Sequence, residues 1–311
     1  MTVGSLFAGI GGIDIAFKQA GFDIKWAIEK DSACCKTYAN NFSETKLIQC
    51  DIHNVATDEL PKVDVITAGF PCQSFSIAGK QRGFFDPRGN SFFEIKRFIM
   101  HSKPRFVFLE NVPNLLEHDN GKTFNIIHNT LSELDYTIRY RVLLASEYGG
   151  IPQIRNRIYI VAFREQEDCD NFNFPSPIKL KFTIEDILKR STRKHSVYYY
   201  SDDDQFFKFA KQIVKRNDSI YRVYHDSIKI TQNHMCPTLT ASMGTKNNQV
   251  HLVLDDYGIR KLTVRECLDF QGFPSDFHFP HTITLGDAYK QIGNSVCVPV
   301  IERIASKIRE M

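Results

Sequence analysis

The strongest constraint on the fold lies at the start of the chain. Val3-Gly4-Ser5-Leu6-Phe7 has strand character, Phe7-Ala8-Gly9-Ile10-Gly11-Gly12 follows it, and Ile13 to Ala20 then carries helical spacing up to a stop at Gly21. Strand, glycine-rich turn and helix open a nucleotide-binding βαβ unit. Glycines there let backbone approach a ligand closely and present helix N-terminal N–H groups to it. The spacing is not the full Gly-x-Gly-x-x-Gly, so on this evidence a plain tight turn and a cofactor loop stand level.

The next strands repeat one pattern. Ile24 to Glu29 reads as a strand ending in an acid about twenty residues after the glycines, where an acid commonly takes ribose hydroxyls. Leu47-Ile48-Gln49-Cys50 ends in Asp51-Ile52, and Arg105 to Leu109 ends in Glu110-Asn111-Val112-Pro113. Acids at successive strand ends favour an adenosine-type ligand, although each could instead cap a helix. Between them Val63 to Thr67 predicts a fourth buried strand, broken by Gly69-Phe70-Pro71 so that Cys72 falls on a loop. A lone cysteine is more often a small apolar filler than a reactive group. Residues 79–90 predict a long loop carrying Lys80, Arg82 and Arg88, which is either a lid or an ordinary solvated loop. Helices are expected over 91–100 and 121–134, and strands over 137–144 and 157–163. Alternation in the extended segment before the last strand puts Gln153, Arg155 and Arg157 on one face, where a carboxylate, phosphate or base edge could meet them together. Glu110, at the end of a buried strand, is either an acid with a raised pKa or a structural partner of Asn111.

Beyond about residue 165 the rhythm fails. From Lys179 to Gly258 no βα alternation is visible. Lys189, Arg190, Arg193, Lys194 and His195 lie near Tyr198-Tyr199-Tyr200, and a helix expected over 203–216 carries Phe206, Phe209 and Ile213 on one side and lysines on another. Basic residues among aromatics suit a nucleic-acid surface, and a solvated helix face explains the lysines as well. Residues 237–249, including Thr238 and Thr240, are rich in small hydrogen-bonding groups of the kind that read base edges. Thr263 and Glu266 form a capping box, and the chain finishes with a helix over 299–308.

Composition narrows the class. With 311 residues, 42% hydrophobic and 24% charged, the chain can bury one large core and a smaller one, and its net charge of +3 means that any nucleic-acid surface must be local. The eight cysteines form no CxxC pair and no His/Cys cluster, which argues against a zinc site and for reduced thiols in a cytoplasm. No apolar run is long enough to span a bilayer, so no membrane role is expected.

In order along the chain, Phe7 to Gly12, Gly69-Phe70-Pro71-Cys72-Gln73, Glu110-Asn111-Val112, Gln153 to Arg157, Arg260 through Pro274, and Gly293-Asn294-Ser295-Val296 resemble the motifs of bacterial DNA cytosine-5 methyltransferases of the restriction-modification type. The resemblance covers nearly the whole chain, and its variable region coincides with the stretch where the rhythm breaks. It implies an α/β, Rossmann-like catalytic domain over 1–185 and 276–311, with a smaller, irregular, mostly β target-recognition domain over 186–275. S-adenosyl-L-methionine would be bound by Phe7, Gly9, Gly11, Gly12, Glu29, Asp51, Ile52, Pro71 and Asn294. Lys30 departs from the aromatic often found after the ribose-binding acid, so adenine stacking falls to Phe7 or Ile52. The resemblance makes Cys72 the thiolate that adds to carbon 6 of cytosine, Glu110 the group that gives a proton or hydrogen bond to nitrogen 3, Arg155 the holder of the base and Arg157 a brace. The target base must leave the duplex, which costs a few kcal/mol. Gln73, Ser76, Lys80, Arg82, Arg88, Gln153, Thr238 and Thr240 would contact DNA. A cognate restriction endonuclease, monomeric action and association with the nucleoid are the implied partners and setting. The alternatives are a tRNA cytosine-5 methyltransferase, whose Cys-Phe-Thr signature is absent, a dinucleotide oxidoreductase, and an inactive DNA-binding regulator.

Overall fold

The computed structural model describes residues 1–70, 91–201, 203–224, 227–231, 234–244 and 250–311. The chain runs β1 (Thr2–Leu6), α1 (Gly12–Gln19), β2 (Asp23–Glu29), α2 (Ser32–Asn41), β3 (Lys46–Gln49), β4 (Val65–Gly69), α3 (Ser91–Ser102), β5 (Phe106–Asn111) and α4 (Lys122–Ser132). It continues through β6 (Thr137–Leu144), α5 (Ala145–Tyr148), β7 (Asn156–Phe163), α6 (Gln166–Asn171), α7 (Ile184–Leu188) and α8 (Gln205–Ile213). The remaining elements are β8 (Ile220–Tyr224), β9 (Ser227–Ile230), β10 (Leu252–Asp255), β11 (Gly258–Lys261), α9 (Val264–Asp269), α10 (Leu285–Asn294) and α11 (Val298–Arg309). Contacts divide the chain into two compact units: Met1–Leu143, Asn156–Ser176 and Val300–Met311 form the first, and Leu144–Arg155 with Pro177–Pro299 form the second.

The first unit is built on a seven-stranded sheet of order β3-β2-β1-β4-β5-β7-β6. The pairs from β3 to β5 are parallel, and β7 returns antiparallel against β5. Strands buried on both faces must be apolar throughout, and β5 is buried along its whole length. Gly4 is required where it stands, because a Cβ there would lie 2.1 Å from the Trp26 ring. Strand order reverses direction at β1, whose neighbours are β2 and β4. Ligands of open α/β sheets bind outside the carboxyl ends of the strands at such a reversal. Here β1 leads into the glycine-rich turn and β4 leads to Phe70, two residues before Cys72.

The second unit holds a four-stranded antiparallel sheet, β11-β10-β8-β9. Helix α8, capped by Asp204, covers it through Phe207, Ala210 and Val214, which cluster with Tyr221, Val223, Leu252 and Ile259. The stripe expected from spacing, Phe206, Phe209 and Ile213, is therefore not the core face. Phe206 and Ile213 only flank the cluster, and Phe209 is exposed. With aromatics at three of four consecutive positions, helical periodicity alone allows either stripe, and the sheet selects the one it covers.

The largest polar knot of this unit is centred on Arg260, which is fully buried. Its Nε donates to Asp255 at 2.6 Å, and its two terminal nitrogens reach Glu266 at 2.8 Å each. Asp255 also accepts from the Tyr199 hydroxyl, and Glu266 from Thr263 N–H in the expected capping box. Burying three charges is tolerable only because their lone pairs and protons are satisfied in this way.

Candidate functional site

In the first unit the glycine-rich turn is shaped by backbone that ordinary residues avoid. Phe7, Gly9 and Gly11 have φ of 54°, 56° and 84°. A Cβ on Gly11 would lie 2.2 Å from the Phe42 ring, so this position admits only glycine. Gly11 caps α1 without any side-chain hydrogen bond. A helix start with no side-chain cap is an arrangement that suits a carboxylate or phosphate.

Glu29, at the end of β2, ties this turn down. Its Oε2 accepts from Gly9 N–H at 2.9 Å, and its Oε1 from the backbone N–H of Lys30 and Asp31 at 2.8 and 2.7 Å. A carboxylate has about four acceptor positions. Three are filled by backbone, which fixes its direction and leaves capacity for a hydroxyl. Asp51, after β3, accepts from His53 N–H at 3.2 Å and pairs with Lys30 at 3.3 Å. Burial works against its charge, but these two partners outweigh it and hold the carboxyl below its ordinary value. Ile52 is buried beside it, and the half-buried Phe7 packs on the same core cluster.

The carboxyl ends of β4 and β5 bring the next groups together. Gly69 pairs with Glu110 in register, and a Cβ on Gly69 would lie 3.7 Å from Glu110 Oε2. Glu110 is 8% exposed and forms an ion pair with Arg157 Nε at 3.1 Å. Asn111 donates to Phe70 O at 3.0 Å and accepts from Val112 N–H. The Glu-Asn pair thus divides its work: the glutamate meets an arginine, and the asparagine holds the backbone that runs into Pro71 and Cys72. Cys72, Pro71, Gln73, Ser76, Lys80, Arg82 and Arg88 lie outside the described residues.

Sequence reasoning missed one further group. Asp14, in the first turn of α1, is fully buried and accepts from Tyr38 Oη at 2.7 Å. Burial pushes its carboxyl up to about 6, and the Ser5 and Tyr38 hydroxyls offset that only in part. Flanked by isoleucines, Asp14 shows in the sequence only as a break in an apolar helix face.

The second unit carries the remaining candidates, and two of them are buried against backbone. Arg155, expected to hold a base, is buried, and its guanidinium meets carbonyl oxygens: Leu239 O at 2.9 Å, Gly293 O at 3.4 Å and Ser295 O. Gln153, expected at a DNA surface, has no exposure and donates to Phe270 O at 2.6 Å. Both are committed to backbone because residues 152–155 are woven into 236–241. Cys236 N–H donates to Pro152 O, Ile154 N–H to Cys236 O, and Thr238 Oγ1 to Ile154 O. Buried His251 meets Thr238 O at 3.4 Å, and burial lowers its pKa to about 4, so it is neutral. Thr238 and Thr240 are partly exposed. Asn294 is exposed at the end of α10, next to Gly293, where a Cβ would lie 2.1 Å from the Thr240 carbonyl carbon.

Burial raises the thiol pKa of Cys35, to about 12, and of Cys236 and Cys267, so none of these is a nucleophile. No cluster able to hold a metal ion, and no helix long and apolar enough to cross a membrane, occurs among the described residues.

With this geometry in view, known proteins were compared. The family model for C-5 cytosine-specific DNA methylases matches residues 1–310. The Type II methyltransferase M.Bsp6I of Bacillus sp. is 46% identical over 99% of this chain and 98% of its own length. M.HhaI of Haemophilus parahaemolyticus is 36% identical over 97% of this chain and 92% of its own length. A solved structure of Dnmt2 methyltransferase from S. pombe superposes with a TM-score of 0.76 at 21% identity, covering 100% of this chain and 98% of that one, which speaks for the fold alone.

Proposed function

This chain belongs to the C-5 cytosine-specific DNA methylase family, and on that premise we propose how its residues share the transfer of a methyl group from S-adenosylmethionine to carbon 5 of cytosine in duplex DNA. The cofactor supplies an electrophilic methyl group on a sulfonium. The residues of the first unit suit it. The uncapped N-terminus of α1 takes the carboxylate, Glu29 with its remaining acceptor capacity takes ribose hydroxyls, and Asp51, Ile52 and Phe7 meet the adenine end. Pro71 and Asn294 complete the proposed cofactor set.

The single observation that carries the catalytic reading is the Glu110–Arg157 pair at the end of β5, in register with the end of β4. Carbon 5 of cytosine is a poor nucleophile until a thiolate adds at carbon 6, and that addition needs nitrogen 3 to receive a proton or a strong hydrogen bond. Cys72 is the thiolate. Glu110 serves nitrogen 3, with Arg157 fixing its direction and neutralising charge that develops on the ring. We assign the base-side arginine role to Arg157, since the Arg155 guanidinium is taken up by carbonyls. Asn111 acts at one remove, through Phe70 O. On completion the carbon-5 proton and the Cys72 thiolate leave, and methylated base is released.

Target recognition is proposed for residues 186–275, with Thr238 and Thr240 on the DNA side. Gln73, Ser76, Lys80, Arg82 and Arg88 are the proposed contacts from the 71–90 segment. The Type II names of the relatives support a cognate restriction endonuclease acting on the same site. Action as a monomer, in the cytoplasm and on the nucleoid, completes the proposal. A tRNA cytosine-5 methyltransferase has less support, because the matching family model is of DNA methylases.

The test is transfer of a tritiated methyl group to duplex DNA and to tRNA, followed by bisulfite sequencing of a plasmid exposed to the enzyme. Methylation of one short DNA sequence at cytosine is expected. Transfer to tRNA alone would overturn the reading.

A further inference from the structure

One side-chain cluster of the first unit has no part in the roles above. Helix α3 presents Glu94, Arg97 and His101 to the segment that joins β3 to β4. Arg97 Nη1 donates to Val55 O at 2.6 Å and Nη2 to Ile52 O at 2.7 Å, while Nε and Nη2 both reach Glu94 Oε2, at 2.9 and 2.8 Å. The other oxygen of Glu94 lies 3.1 Å from His53 Nδ1. Four residues further along α3, His101 Nε2 meets Leu60 O at 3.2 Å. A planar guanidinium can span two carbonyls and a carboxylate at once, which an ammonium cannot.

The turn held in this way is short, and burial of Ile52 and Val55 and the Lys30–Asp51 pair are its other supports. It is a single 3₁₀ turn, Ile52–Asn54, capped by Asp51, whose carboxylate accepts from His53 N–H. Isolated turns of this length have poor hydrogen-bond geometry and depend on tertiary contacts. Arg97 grips both ends of the turn through its carbonyls, and Glu94 grips its middle through the His53 ring. Arg97 and Glu94 therefore brace from α3 the turn that carries the Asp51 carboxylate and Ile52.

We propose that Arg97, oriented by Glu94, is a positioning residue for S-adenosylmethionine, acting through the Asp51–Val55 turn at the adenosine end. The inference rests on the reading that Asp51 and Ile52 meet the cofactor. A residue in this position changes how well the cofactor is held and leaves the chemical step and DNA binding alone.

The test compares Arg97→Ala, Arg97→Lys and Glu94→Gln with the unaltered enzyme, with Asp51→Asn as the control on the cofactor reading. The readouts are KM for S-adenosylmethionine, kcat at saturating cofactor on duplex DNA, cofactor Kd by calorimetry, and DNA Kd. Arg97→Ala is expected to raise cofactor KM and Kd about tenfold or more, the size of losing hydrogen bonds to a charged group, with kcat within about threefold and DNA Kd unchanged. Arg97→Lys restores less than half of that loss, because one ammonium cannot hold both carbonyls. Glu94→Gln keeps the helix surface and raises cofactor Kd about threefold, so it serves should Arg97→Ala fold poorly. If Asp51→Asn weakens cofactor binding while the Arg97 and Glu94 variants do not, the positioning role is overturned and the cofactor reading stands. If kcat and DNA affinity fall in step with cofactor affinity, Arg97 is merely structural. If Asp51→Asn also leaves the cofactor Kd unchanged, the cofactor reading itself fails.

Discussion

Arg155 and Arg157 are two residues apart, yet they belong to different units and do opposite work. In the first unit, Glu110 near the end of β5 faces the Arg157 side chain, and Glu29 keeps an acceptor position after three backbone bonds. In the second unit, the Arg155 guanidinium and the Gln153 amide donate to carbonyls, and Arg260 is closed on Asp255 and Glu266. Residue type therefore does not separate chemistry from architecture here. What separates them is the partner that each group meets.

The comparison can be broken by substitution, starting with the largest effect. Cys72→Ala should abolish turnover while DNA and cofactor Kd, measured by filter binding and calorimetry, stay near their starting values. Residual turnover would move the nucleophile elsewhere. Arg260→Leu removes the cation of the network and should cost about 3 kcal/mol or more in denaturant unfolding, because it strands the buried carboxylates of Asp255 and Glu266. Its specific activity per folded molecule should hold, and an unchanged unfolding midpoint would show that the network is not closed as described.

Glu110→Gln should lower kcat on the order of 10² or more in the molecules that remain folded, as loss of a positioned acid does. The opposite pattern, intact rate and lost stability, would make Glu110 an architectural residue like those of the second unit. Asp14 gives the finest test, because its effect is spread over pH. Its carboxyl rises from 3.8 to about 6 on folding, so the protonated form is the one the fold favours. Its contribution is fully present below pH 3.8 and is lost as pH rises through about 6. The loss amounts to about 3 kcal/mol from the shift alone. Asp14→Asn should flatten the unfolding free energy relative to the unaltered protein between about pH 4 and 6. Parallel curves for the two proteins would refute this.

Much of the fold was legible where its signals are local. The glycine-rich turn, the acids at the ends of β2, β3 and β5, and the Thr263–Glu266 capping box depend on neighbours in sequence, and the structure has them where the pattern puts them. The role of Arg155 was not legible. Alternation correctly makes the 153–157 segment extended, but the carbonyls that take up Arg155 come from residues 239, 293 and 295, far away in the chain. The core face of α8 was missed for the same reason, since only the sheet it covers decides between two aromatic stripes. Arg97 has no local signal either: its partners, Ile52 and Val55, lie more than forty residues before it. Sequence pattern reveals which atoms a residue can offer, and long-range backbone reveals whether they are already taken.

The first unit is closed by residues from the far end of the chain, and this bears on how the protein is made. Val300, Ile301, Ile304, Ala305 and Ile308 of α11 are all buried, Arg303 donates to Ser176 O, and Arg309 lies over the Phe22 ring. During synthesis, roughly 120 residues from 177 to 299 must leave the ribosome between the last strand of the large sheet and this helix. At bacterial rates that is on the order of ten seconds during which the apolar surface around Phe22 lacks its cover. Nascent chains of this enzyme should therefore be chaperone clients until α11 emerges, and truncation before residue 300 should yield insoluble protein although every strand described above is present.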